Sequence, residues 1–178
     1  PPELRASVPE LPEVETVRRG LEGPVAGRWI RAVAVHESRL RWPVDPALAE
    51  RLTGRRVHGL GRRSKFLLVR LDRGGLLVHL GMSGTLRIVV PDAPRLPHDH
   101  LALRLGDRGD GPAVAELRYN DPRRFGSVHW TDAAPEAHPL LARIGPEPLD
   151  RAFDGAHLHR LSRGSRRPTS PSTRTSGA

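Results

Sequence analysis

At 178 residues, 37% apolar and 28% charged, the chain is long enough to bury one core and holds no apolar run near the ~18 residues a membrane span requires. The lack of cysteine excludes disulfides and thiolate metal sites within it, and its nine histidines form no H-E-x-x-H array. A formal charge of +9 favours a polyanionic partner; arginines 163, 166, 167 and 174 supply +4 of it and leave +5 for the body.

The first periodic stretch is Pro9-Glu10-Leu11-Pro12-Glu13-Val14-Glu15-Thr16-Val17-Arg18-Arg19-Gly20. Val14, Val17 and Leu21 fall on one helical face, Pro12 suits a first helical position, and Glu13 and Glu15 sit where the helix dipole favours anions. Gly23-Pro24 and Gly27 are expected to end this helix. Trp29 to His36 then alternates as a strand, with Val33 and Val35 on one side and Ile30, Ala32 and Ala34 on the other. Ser38 to Pro43 reads as a basic loop and Pro46 to Leu52 as a short helix stopped at Gly54.

From Arg55 the pattern turns to short strands: 55–60, 65–71, 76–80, 85–90, 100–105, 113–119 and 127–131. A hairpin turn lies at Asp72–Gly75, a glycine-flanked loop at Gly81-Met82-Ser83-Gly84, and a proline-rich loop at 91–97. A second basic loop, Asn120 to Gly126, precedes the last strand. The expected fold is α+β and mainly β, a two-layered antiparallel β-sandwich of about eight strands with an N-terminal helix. Helical patterns return at 136–143 and 153–161. Residues 163–178 are Ser, Thr, Pro, Arg and Gly with almost nothing to bury, a composition expected to stay disordered.

One count is sharper than the total charge. Of 29 basic side chains, 28 are arginine and only Lys65 is lysine. An amine can shed and regain a proton where a guanidinium cannot, so a position that keeps lysine can mark proton transfer. A salt bridge tolerant of either residue would leave the same trace.

Six blocks, in register, resemble the bacterial formamidopyrimidine-DNA glycosylases: the 9–20 stretch, Ser38–Pro43, Arg62–Leu67, His79–Gly84, His98-Asp99-His100 and Asp121–Gly126. Gly145–Leu149 is similar to that family's junction. The related endonuclease VIII type begins Pro-Glu-Gly-Pro-Glu, so Leu11 places the chain on the formamidopyrimidine side. The resemblance implies base-excision repair: removal of oxidised purines (formamidopyrimidines, 8-oxoguanine) from double-stranded damaged DNA through a proline iminium, then AP-lyase β,δ-elimination. It implies Pro9 as nucleophile, Glu10 as acid/base carboxylate and Lys65 as the residue of the elimination steps. Met82, Arg123 and Phe125 match residues inserted into the gap left by a flipped base, although ordinary loop tips would read alike. His98 and Arg124 correspond to phosphate contacts.

The resemblance also shapes the expected organisation. Pro9 follows eight residues, so its nitrogen as written is a tertiary amide. Residues 1–8 are therefore expected to be a start-site extension, with initiation at Val8 followed by removal of the initiator exposing Pro9. Residues 9–135 are expected to form the catalytic sandwich, 136–162 a helical junction to the family's further domain, and 163–178 a disordered tail, with a frameshift or a truncated reading frame as the expected explanation. The family's helix-two-turns-helix domain and four-cysteine zinc finger are missing here, so no metal ligand and no cofactor is expected in this chain. The expected setting is cytoplasmic and nucleoid-associated, as a monomer off the membrane. The alternative readings are an inactive fragment or a non-enzymatic basic module that binds nucleic acid.

Overall fold

The structure, a computed structural model, describes residues 11–142 and 144. The chain divides into two compact units, Pro1–Arg143 and Ile144–Ala178. Pro9 and Glu10, the helix expected at 153–161, the 145–149 junction and the 163–178 tail lie outside the described residues.

Helix α1 (Leu11–Val25) leads into β1 (Trp29–Val35), α2 (Leu48–Leu52), β2 (Val57–Arg63), β3 (Phe66–Leu71), β4 (Gly75–His79), β5 (Thr85–Val89), β6 (Asp99–Gly106), β7 (Ala115–Asn120) and β8 (Ser127–Thr131). Two four-stranded antiparallel sheets result, ordered β1-β6-β7-β5 and β2-β3-β4-β8. The sandwich and its eight strands are those expected, with boundaries moved by no more than three residues.

The core is one apolar cluster. Leu67, Val69, Leu76 and Val78 of one sheet meet Leu101, Leu103, Leu105, Leu117 and Tyr119 of the other, each at most 5% exposed. Leu67 and Val69 pair with Val78 and Leu76, so alternate residues of adjacent strands fall on the inner face. Val14, Leu21 and Val25 of α1 join the same cluster, with Val17 packed against it.

Three expectations are corrected. Helix α1 runs through Pro24 to Val25, because a proline in the last turn forfeits one backbone bond while Val25, 1% exposed, gains burial; Gly27, at φ 80, ends the turn. In β1 the register with β6 shifts between Ile30 and Ala32, and this bulge reverses the alternation. Ile30 is buried, Val33 packs against the core, and Ala32, Ala34 and Val35 face outward. The helix expected at 136–143 is instead two 3-10 turns, Pro135–Ala137 and Pro139–Leu141. Pro139 forces His138 to extended backbone, φ −64 and ψ 136, and divides the segment.

The outer face of the β1-containing sheet carries a buried ionic group. Arg118, 4% exposed, donates to Glu116 at 2.6 Å and to the carbonyls of Ala93 and Pro94 at 2.6 and 2.8 Å. Arg87 pairs with Asp99 at 2.5 Å. The Arg118 bonds hold the 91–97 loop against the sheet.

Candidate functional site

Strand directions bring four connections to one end of the sandwich: the β2–β3 hairpin, the β4–β5 and β7–β8 crossovers, and the segment leaving β1. In the hairpin, Arg63 pairs with Phe66, leaving a two-residue turn of Ser64, at φ 51, and Lys65. In the β4–β5 crossover Gly81 adopts φ 66, a conformation that suits glycine, and sends Met82 back across the sheet end. The two crossovers exchange sheets and so cannot be tight hairpins, which is why both have side chains to present.

A cavity of about 480 Å³ opens between these connections, lined by Arg41, Lys65, His79, Gly81, Met82 and Phe125. Lys65 and Met82 are half-buried in it, and Phe125 is 44% exposed at its rim. Three residues singled out from the sequence, on three separate connections, thus share one concave surface. Arg123 lies beside them, its guanidinium 4.9 Å from the Phe125 ring centre. His98 and Arg124 do not line the cavity. Both are exposed and at left-handed backbone, φ 68 and φ 56, and each is tied to Asp121: the Asp121 amide donates to the His98 carbonyl and the Arg124 amide to the Asp121 carbonyl, both at 3.1 Å. Arg124 also stands 3.5 Å from Glu37. Hydrogen bonds from Arg39 hold the Glu37 carboxyl down at about 2.

Three residues went unassigned in the sequence. Arg41, one of several basic residues of the 38–43 loop, faces the cavity. His79 also lines it; burial lowers its pKa, helped by the positive fields of Arg41 and Lys65. Its Nδ1 accepts the Gly81 amide at 3.0 Å, so the proton of the neutral ring is on Nε2. Asp121, fully buried, bonds to both crossovers. The position of each within its motif was the only signal available.

The start of α1 is anchored beside the hairpin. Glu15 receives Arg18 at 3.0 Å, Arg19 at 2.8 Å and Arg62 of β2 at 3.3 Å, and the bond from Arg18 is the main reason its carboxyl is lowered to about 2. Arg62 lies three residues before Lys65, so this contact sets helix and hairpin side by side. Among the described residues no group of His, Asp and Glu could hold a metal ion, and the chain has no cysteine. No helix among them is long and apolar enough to cross a membrane.

Fold and site define a two-layered β-sandwich in which one hairpin and two sheet-exchanging loops gather a lysine, a methionine and an aromatic at one basic end. The model of the formamidopyrimidine-DNA glycosylase N-terminal domain matches residues 8–128, and the chain belongs to that family. It is 57% identical over 157 residues to the formamidopyrimidine-DNA glycosylase of Methylococcus capsulatus, covering 88% of this chain and 56% of that protein. With the enzyme of Thioalkalivibrio sulfidiphilus it shares 55% over 156 residues, covering 88% and 55%. Among solved structures, the Lactococcus lactis glycosylase bound non-covalently to DNA containing an AP site is similar at TM-score 0.72 and 35% identity, over 87% of this chain and 58% of that one. A second complex of the same enzyme, with DNA containing an abasic site, matches at 0.73 and 35%, over 88% and 57%. The chain spans a little over half the length of these relatives.

Proposed function

We propose that this chain is the catalytic half of a base-excision DNA glycosylase with AP-lyase activity, acting on oxidised purines in duplex DNA. The observation that carries the reading is the meeting of Lys65, Met82 and Phe125 around one cavity, next to the end of the sandwich where α1 begins. Residues 9–135 are the sandwich domain on this reading. The family's zinc finger falls in the part of the relatives that the chain does not span, and the setting is the bacterial cytoplasm.

The chemistry follows from residue types. An unacylated Pro9 nitrogen attacks C1′ of an everted nucleotide and displaces the base, which leaves with a proton. Glu10 protonates the ring oxygen as the sugar opens, and the nitrogen lone pair completes the iminium. That cation makes the C2′ hydrogen acidic; loss of a proton there expels the 3′-phosphate, and a second elimination expels the 5′-phosphate. Lys65 moves protons in these eliminations, and hydrolysis of the final imine returns the amine. Met82 and Phe125 fill and wedge the vacated stack, Arg123 bonds the orphaned base, and His98 and Arg124 hold phosphates.

The amide from Val8 to Pro9 decides between catalysis and simple binding. Borohydride reduction of a mixture with duplex DNA containing 8-oxoguanine is expected to give a covalent protein–DNA band when Pro9 is the first residue and none when Val8 is attached. A band of equal strength from both forms would place the nucleophile elsewhere. DNA binding without a band from either would leave the non-enzymatic basic module.

A further inference from the structure

The Met82 loop and the Arg123–Phe125 loop come from different crossovers, yet one carboxyl bonds to both. Asp121 Oδ1 accepts from Ser83 Oγ at 2.6 Å, and Ser83 is the neighbour of Met82. Asp121 Oδ2 accepts from the Gly126 amide at 2.9 Å, and Gly126 is the neighbour of Phe125. The Ser83 hydroxyl in turn accepts the Arg123 amide at 3.3 Å. From the core side Tyr119 donates to Oδ2 at 3.1 Å, and burial together with the Asp121 charge pushes its phenol well up, so that it stays a donor. His100 Nε2 lies 2.7 Å from the Asp121 carbonyl. Gly81 touches the other loop so closely that a Cβ there would stand 2.5 Å from Phe125 C and Gly126 N.

We propose that the two loops form one rigid wedge pinned by Ser83, Asp121 and Gly126, so that Met82, Arg123 and Phe125 enter a base stack together rather than one by one. Ser83 and Asp121 are positioning residues in this arrangement. The inference deepens the glycosylase reading and rests on it for the wedge's use, but the pin itself is a property of the fold. Its physical logic is resistance to recoil: the stack pushes back on anything inserted, and a loop held only at its ends would yield. Parting these loops breaks the Ser83 bond to a fully buried carboxyl, together with the Arg123 amide bond to the Ser83 hydroxyl.

Ser83→Ala cuts the link between the loops and leaves the Gly126 and Tyr119 bonds to Asp121 in place, so the fold survives; Ser83→Thr restores the hydroxyl. Hydrogen exchange on the complete chain is expected to show the amides of 81–84 and of 123–126 accelerating together by about tenfold in Ser83→Ala, with β4 and β7 unchanged. In the form that gives the trapped band, excision of 8-oxoguanine falls about tenfold, whereas cleavage at a preformed abasic site, where no base must be extruded, falls by less than about twofold. Ser83→Thr recovers both readings. Equal losses in the two reactions, or no loss in either, overturn the wedge, as does exchange that accelerates in the 81–84 loop alone. If no form of the wild-type chain gives a trapped band, the glycosylase reading fails and hydrogen exchange alone decides the pin.

Discussion

Gly81→Ala tests how tightly the two crossovers are pressed together. Gly81 sits at φ 66, where a Cβ costs ~1 kcal/mol on backbone grounds alone. The added carbon would also lie 2.5 Å from Gly126 N and Phe125 C and 2.9 Å from Phe125 O, all backbone atoms that cannot swing aside. Overpacking of this kind costs ~1–3 kcal/mol. The total is ~2–4 kcal/mol. Gly27→Ala isolates the first contribution, because Gly27 has φ 80 but nothing within 4 Å of the place its new methyl would take. Urea unfolding of the two variants, followed by tryptophan fluorescence, should therefore give midpoints that both fall, with Gly81→Ala lower by about 1 M at an ordinary slope of ~1–3 kcal/mol per M. Coincident midpoints would show that the loops part at no cost, and would remove the close contact from the description of the site.

Three further outcomes follow from the same structure. Gly20 is exposed in the interior of α1 with nothing within 4 Å of its Cβ position, so Gly20→Ala should stabilise by ~0.5–1 kcal/mol and raise the melting temperature by a few degrees; a fall would mean that this helix face is covered. His79, His129 and His138 all have pKa values lowered mainly by burial, so below the free value of about 6.5 the unfolded chain binds more protons than the folded one. Stability should accordingly fall as pH drops from about 7 to about 5, ahead of any loss from Glu15, and a urea midpoint that stays flat across that window would contradict the burial of these rings. Arg124→Ala should weaken binding to undamaged and damaged duplex alike and reduce the salt slope of log K by about 1, read by fluorescence anisotropy; an unchanged slope would take Arg124 off the phosphate backbone.

The sandwich was legible because its strands announce themselves locally. The run Phe66–Leu71, the turn after it and Leu76–Val78 carry continuous apolar residues and glycine punctuation that need no tertiary information. What the sequence concealed depends on partners distant along the chain. The bulge in β1 is set by pairing with β6 some seventy residues later, so Ile30 and Val33 turn to the same side against simple alternation. Helix α1 outlasts Gly23-Pro24 because Val25 finds a place in the core, and tertiary burial outweighs a local breaker there. The site shows the same division. Lys65, Met82 and Phe125 could be picked out singly, by rarity or by their loops, but only the exchange of strands between sheets puts them on one cavity. Asp121 and His79 carried no mark of their own: a buried acid between two crossovers and a histidine whose Nδ1 holds Gly81 are defined by what lies across from them, not beside them.

Lys65→Arg is the substitution that separates charge from proton transfer. The arginine keeps the positive charge, and a cavity of about 480 Å³ has room for the larger planar head beside Met82 and Phe125. A role limited to attracting phosphate would therefore survive, and in a chain that carries 28 arginines elsewhere there would be no reason for this position to differ. A role in moving protons would not survive, because a guanidinium stays protonated at any working pH. The expected pattern is unchanged duplex binding, a borohydride-trapped band that persists because the iminium forms on Pro9, and strand cleavage reduced by about a hundredfold, in line with the loss of a general acid–base group. The three are read from one set of reactions by anisotropy and by gels run with and without borohydride. Full strand cleavage by the arginine variant would reduce Lys65 to an ordinary cation at a hairpin tip and move the elimination chemistry to another residue.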